Sequence, residues 1–447
     1  MTESTQLIKN TRLIDPGQNI DAELDILIIN GFISQIGKNI QPVEGVRLID
    51  ASGLIASPGF IDLHCHLREP GFEQKETIAT GAAAALHGGY TTVCCMPNTD
   101  PPLDNEATVN YVKITASNTA PYINILPIGC ITKKRMGVEL ADLFELANSG
   151  CVGFSDDGNP VSNSRLMFTA MQYISSFGLI VIDHCEDLDL SRGGQMHDGW
   201  VAARLGLKGI PAAAEESIVA RDIALAEATG VRLHLTHIST KGSVELIRNA
   251  KKHGVNVTAD VTPHHLTLSH KRIIQKNSDS LSEIAYDTNA KVNPPLRTEE
   301  DIEALIDGIK DGTITAVATD HAPHTTEDKA CEFDTAASGI SGFETSAAVL
   351  LSLVHKQKLS LNTLIKCLTT GPASILNQPG ISGTLKIDQP ADLVLIDPDK
   401  DSLITPSMLV SKGKNNPWIG QVLKGMIMAT FYHGHIAYIN DELRDGK

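Results

Sequence analysis

One phrase recurs along the chain from about residue 58 to residue 319: a helical stretch, a glycine, then a short β-rich run. Residues 75–87 stop at Gly88-Gly89 and lead into 90–96, and residues 141–148 stop at Gly150 and lead into 151–155. The phrase returns at 166–177, Gly178 and 179–183, and at 216–229, Gly230 and 231–236. It returns again at 244–253, Gly254 and 255–260, and at 301–310, Gly312 and 314–319. Glycine closes a helix in the left-handed conformation at little steric cost. The β-rich runs are continuous and apolar, as in parallel sheets covered on both faces. Residues 60–66 and 123–128 bring the number of such runs to eight. Eight strands alternating with helices predict an α/β fold, a closed parallel (β/α)8 barrel of the TIM type. The rival is an open doubly wound sheet, but no glycine-rich phosphate loop follows the early strands.

The two ends have a different texture. Residues 5–57 hold short strand-like pieces, Gln6-Leu7-Ile8, Asp25-Ile26-Leu27-Ile28-Ile29 and Arg47-Leu48-Ile49. The texture returns in Leu393-Val394-Leu395-Ile396 and Phe431-Tyr432. This predicts a small composite β-sandwich domain built from both termini. The expected division is 1–57 and 381–447 for that domain and 58–380 for the barrel. A length of 447 residues suits a barrel with a satellite, and 4% aromatics predict an aliphatic core.

A net charge of −16 argues against a nucleic-acid-binding surface, which needs a basic footprint. An anionic ligand would have to be gripped by local cations against the overall field. No apolar run is long enough to span a bilayer, so no membrane segment is expected. Met1-Thr2-Glu3-Ser4-Thr5 is polar and lacks an apolar signal core, so the expected location is cytoplasmic. The eight cysteines form no CxxC pair and read as reduced, buried thiols.

Chemistry first shows in Asp62-Leu63-His64-Cys65-His66-Leu67-Arg68. Residues two apart in a strand share a face, so His64 and His66 can grip one metal ion together. Asp62 is expected on that face, orienting a histidine. An isolated HxH pair is weak evidence, but later runs repeat the pattern. They end in Asp156-Asp157, in His184, in His237 and in Asp320-His321. Strand C-terminal ends are where barrels place active sites. Imidazole and carboxylate together suit zinc, with manganese or cobalt as alternatives.

Six ordered blocks carry a resemblance. They are His66-Leu67-Arg68-Glu69-Pro70-Gly71, Met96-Pro97-Asn98-Thr99, Ser155-Asp156-Asp157-Gly158, Asp183-His184-Cys185-Glu186-Asp187, Asn293-Pro294-Pro295-Leu296-Arg297 and Ala318-Thr319-Asp320-His321-Ala322-Pro323-His324. With them the chain resembles the amidohydrolase superfamily and, within it, the dihydroorotase family. The resemblance implies one or two zinc ions. His64 and His66 resemble the ligands of the first, and His184 and His237 those of the second. Many relatives bridge two metals with a carboxylated lysine, but this chain has Asp156-Asp157 there. The resemblance puts the bridge on Asp157; spacing alone leaves Asp156 open.

The same resemblance implies reversible cyclisation of N-carbamoyl-L-aspartate to dihydroorotate, a step of de novo pyrimidine biosynthesis. Metal-activated hydroxide would attack the ring amide, with Asp320 both a metal ligand and the general base, then acid. Arg68 offers a planar fork for the unreactive carboxylate. Asn98 and His324 would complete that clamp, with His66 also touching substrate and Asn293 contacting the ring. Residues 325–341 resemble a loop at the site, with Ser338 and Gly339 in the substrate-contacting position. His264 and His265 are expected to be structural. His87, His253, His270, His433 and His435 are expected on the surface or in loops. A homodimer and an aspartate transcarbamoylase partner are further expectations. The enzyme rivals are hydantoinase and allantoinase; the rival of another class is a non-catalytic partner of the transcarbamoylase. The retained ligand set favours catalysis.

Overall fold

A computed structural model of the chain describes residues 5–274 and 286–444. The eight apolar runs are all strands. They are β1 Phe60–Cys65, β2 Tyr90–Cys95, β3 Asn124–Pro127, β4 Gly153–Phe154, β5 Ile180–Asp183, β6 Arg232–Leu235, β7 Val257–Val261 and β8 Ala316–Val317. Parallel pairing links β1 to β2 and β2 to β3, then runs from β4 through to β8. Two joins close the cylinder. Gly129 just past β3 bridges Phe154, and Cys65 bridges His321 past β8. The His66 N–H donates to His321 O at 2.8 Å across the second join.

Period-two alternation sorts side chains to the two barrel faces. Cys94, Met96, Ile180, Ile182, Ala316 and Ala318 pack in one cluster, while Val93, Cys95, Val181 and Val317 pack with the surrounding helices. The predicted helix stops hold. Gly178 and Gly230 cap their helices at φ 70° and 69°, a conformation that costs a residue with a Cβ.

The β-rich ends pair into one eight-stranded sheet. Strand Ile55–Pro58 is its seam. It runs parallel to Thr5–Asp15 and antiparallel to Leu393–Leu403, which joins the two ends of the chain. Bulges interrupt the register of Thr5–Asp15 and of Leu393–Leu403. Such bulges bend a sheet. Ile8, Ile26, Leu54, Leu393 and Phe431 fill a core of their own beside the barrel. Among the described residues, no helix is long and apolar enough to cross a membrane.

Candidate functional site

His64 and His66 meet at the end of β1, both buried, with ring centroids 5.2 Å apart. A register shift between Asp62 and Cys65 spans His64 and precedes His66, and Ile61 and Leu63 join the interior cluster. Asp62 therefore does not orient a histidine, as the sequence led one to expect. Its carboxylate accepts from the Thr319 N–H and hydroxyl, at 2.7 Å each, and fastens β1 to the segment after β8. Burial pushes its pKa up to about 7 against those hydrogen bonds.

Asp157 lies among four imidazoles. Its Oδ1 is 3.4 Å from His64 Nε2, 3.6 Å from His184 Nδ1 and 3.7 Å from His237 Nε2, and its Oδ2 is 3.7 Å from His66 Nε2. Asp156 points elsewhere. It accepts from the N–H groups of Ile131 and Thr132 and from the Thr132 hydroxyl. Of the two aspartates that spacing left open, Asp157 is the one that faces the histidines. Asp320 joins them from beyond β8, with Oδ1 3.1 Å from His66 Nε2 and 3.7 Å from His64 Nε2.

The second nitrogens of three of the four rings have partners, while His237 Nδ1 is buried with none. Asn98 Oδ1 is 2.8 Å from His66 Nδ1, while the Asn98 Nδ2 donates to Asp157. Glu186 Oε2 is 3.0 Å from His184 Nε2, and Thr236 Oγ1 is 2.8 Å from His64 Nδ1. An amide or carboxylate oxygen only accepts, so with a cation bound Asn98 and Glu186 would hold the protons of these rings on His66 Nδ1 and His184 Nε2 and leave His66 Nε2 and His184 Nδ1 to ligate.

The donor set fits a divalent cation. His64, Asp157 and His237 offer ligand atoms within 4.8 Å of one another, and so do His64, His66 and Asp320. His64 Nε2 is buried and makes no hydrogen bond. The electrostatics point the same way. Burial opposes a charge on His64, yet Asp157 and then Asp320 outweigh it and raise its pKa to about 9. Burial likewise opposes ionisation of Asp157 and Asp320, but the histidines hold both well below the usual carboxylate range. Two buried carboxylates in one small space demand positive charge.

A cationic corner adjoins this cluster. The Arg68 Nε–H donates to Pro323 O at 3.2 Å, and Nη2 lies 3.3 Å from His324 Nε2. Lys75 Nζ lies 3.3 Å from His324 Nδ1. Burial, then Arg68 and Lys75, lower the His324 pKa to about 3, so its ring is neutral. Ser338 O is 2.9 Å from His324 Nε2, and the Gly339 N–H donates to Lys291 O at 2.9 Å. Gly339 has φ +144°, and a Cβ there would meet Ala322 O at 2.6 Å. The Asn293 Nδ2 donates to Glu186 Oε2 at 2.9 Å, on the opposite flank beside His184.

Sequence reasoning gave no role to Glu186, Thr236 or Lys75; Thr236 and Lys75 meet histidines from distant segments, and Glu186 meets His184 two residues before it and the distant Asn293. His265 is tied to Thr262 Oγ1 and Pro294 O, at 2.8 and 3.0 Å. Its neighbour His264 is buried with Nε2 unpartnered. His270, expected on the surface or in a loop, is 2% exposed and packs near His197 and Trp200.

Comparison with known proteins identifies the family. A family model described as "Dihydro-orotase-like" matches residues 53–243. The protein named dihydroorotase from Thermoanaerobacter sp. (strain X514) is 50% identical over 436 residues, covering 97% of this chain and 97% of its own. The dihydroorotase of Syntrophus aciditrophicus (strain SB) is 44% identical over 436 residues, covering 97% and 99%. Among solved structures, the L-hydantoinase (dihydropyrimidinase) from Arthrobacter aurescens superposes with a TM-score of 0.82 at 25% identity, covering 96% of this chain and 95% of that one. The dihydropyrimidinase from Brevibacillus agri NCHU1002 gives 0.80 at 21% identity, covering 98% and 95%, which is a likeness of fold alone. With half its residues identical to a full-length relative, the chain belongs to the dihydroorotase family of cyclic amidohydrolases.

Proposed function

We propose that the chain catalyses the reversible cyclisation of N-carbamoyl-L-aspartate to (S)-dihydroorotate and water, in the de novo pathway to UMP. The observation that carries the reading is the Asp157 carboxylate within 3.7 Å of four histidines, with Asp320 against the same rings. His64 and His66 would hold one zinc ion, His184 and His237 a second, with Asp157 between and Asp320 on the first. When bound, zinc would polarise the ring carbonyl and acidify water.

The chain's own groups do the rest. Asp320 takes the proton of the attacking water and passes it to the departing ring nitrogen. In the direction of ring closure the reacting side-chain carboxylate takes up one proton from solvent, and Asp320 takes a second from the ureido nitrogen, which attacks that carboxyl carbon, and returns it as water leaves. One carboxylate serving as base and then acid follows from microscopic reversibility. Arg68, with Asn98 and His324, would hold the unreactive carboxylate. Asn293 would meet the ring, and Ser338 and Gly339 would contact the substrate with backbone groups. Asn98 already bonds His66 and Asp157, so substrate must share it.

The division 1–57, 58–380 and 381–447 belongs to this proposal, as do a homodimer, an aspartate transcarbamoylase partner and a cytoplasmic location. Metal analysis of the purified protein tests it, with turnover of dihydroorotate, hydantoin and allantoin before and after chelation. Dihydroorotate as best substrate, with loss on chelation, is expected. Hydantoin as best substrate would overturn the choice, and no turnover with metal bound would favour a non-catalytic partner.

A further inference from the structure

A neutral imidazole binds a cation through one nitrogen, and the partner of the other nitrogen decides which. For His66 and His184 that partner is an acceptor. For His64 it is a hydroxyl, Thr236 Oγ1, which can donate or accept. Left alone, such a hydroxyl does not fix the tautomer of His64.

Asp260 on β7 removes the ambiguity. It is fully buried, and its Oδ2 and Oδ1 lie 3.1 and 3.3 Å from Thr236 Oγ1. A carboxylate only accepts, so the single Thr236 proton goes to Asp260. The Thr236 oxygen then accepts from the His64 Nδ1–H. His64 Nε2 is left with its lone pair. That nitrogen is the buried one without a hydrogen bond, 3.4 Å from Asp157 Oδ1.

The same carboxylate reaches the other half of the cluster. The His237 N–H donates to Asp260 Oδ1 at 2.6 Å. His237 has φ +40°, in the left-handed region that residues with a Cβ seldom adopt. Backbone strain of this kind persists where the surroundings hold it. The His234 Nε2–H donates to Oδ2 at 2.8 Å, so the carboxylate is itself held from β6.

We propose that Asp260 is a positioning residue for both halves of the centre. It sets the tautomer of His64 through the Thr236 hydroxyl, and it holds the strained backbone that presents His237. The proposal rests on the reading of His64 and His237 as metal ligands.

The test is Co2+ titration of the metal-depleted full-length protein, in competition with a chelator. The variants are Thr236→Val, Thr236→Ser, Asp260→Asn and His64→Ala. Thr236→Val keeps the side-chain shape and loses the hydroxyl. It is expected to weaken Co2+ binding ~10–100-fold. It should also move the His64 ring 15N shifts of the Zn2+-loaded protein away from those of a ring protonated at Nδ1 and metal-bound at Nε2. Thr236→Ser, which keeps the hydroxyl, should restore both readouts, as a merely space-filling role would not. Asp260→Asn should weaken binding at least as much, and if it fails to fold, the two Thr236 variants still decide. Wild-type Co2+ affinity in Thr236→Val, with affinity lost in His64→Ala, would overturn the positioning role and leave the ligand reading standing. Wild-type affinity in His64→Ala would overturn the ligand reading, and the positioning role with it.

Discussion

Asp157 Oδ1 sits 3.4 Å from His64 Nε2, while the carboxylate of its neighbour Asp156 is spent on the backbone of Ile131 and Thr132. Adjacent aspartates therefore do different work, and substitution should separate them. Asp157→Ala is expected to lose bound metal with the fold retained. Asp156→Ala is expected to keep the metal and lower Tm, because it orphans buried donors at a cost of about 1–3 kcal/mol each. Metal content and thermal melts of the two variants check this; metal loss confined to Asp156→Ala would reverse the assignment.

Asp320→Asn preserves size and one side-chain oxygen but removes the proton acceptor. Positioned acid–base groups contribute ~10²–10⁴-fold to rate. Turnover of dihydroorotate is expected to fall by about that factor. Metal content should change little, because His64, His66, Asp157, His184 and His237 remain. Steady-state kinetics on metal-quantified protein reads the result, and turnover near wild type would remove Asp320 from the mechanism.

Arg68 holds φ +61° and is anchored to Pro323 O, which fixes its fork beside His324. Lysine keeps the charge but not the fork. Losing one charge-assisted hydrogen bond costs about 1.5–3 kcal/mol. Arg68→Lys is thus expected to raise KM for dihydroorotate ~10–100-fold while leaving kcat within a few-fold. Hydantoin, which has no carboxylate, serves as the control; an equal KM change for both would argue against the clamp.

The barrel was legible because its signal is local and repeated: each glycine stop stands beside the helix it ends and the strand it precedes. His64, His66, His184, His237 and Asp320 were legible for the same reason, each lying at a strand end. The helix Glu106–Thr119 was missed. It is rich in threonine and valine, with only Asn105 to cap it. The excursion after β5, with its short strands Met196–His197 and Gly209–Ile210, was also missed, since two-residue strands leave no period to read. The role of Asp62 was misread because the register shift in β1 changes what faces the interior, and no sequence pattern announces a bulge. Thr236 and Asp260 act across β6, β7 and β1, so their link exists only once register is set.

Lys329 carries the last prediction. It ends the short helix Thr326–Lys329 and donates to Thr288 O at 3.0 Å and Lys291 O at 3.3 Å, pinning the loop that bears Ser338 and Gly339. Burial and then the neighbouring Lys291 lower its pKa to about 7, although Asp287 and Asp328 pull the other way. An unfolded lysine titrates near ~10.4. Between those values the unfolded chain binds more protons than the folded one, so stability rises with pH across that window. Below pH ~7 both states are protonated, and the cost of burying the charge is fully present. Lys329→Met keeps the length and removes the titration. The Tm of wild type minus that of Lys329→Met is therefore expected to increase as pH goes from ~6.5 to ~9. Other titrating groups cancel in that difference, so a value independent of pH would show that the buried ammonium carries no such cost.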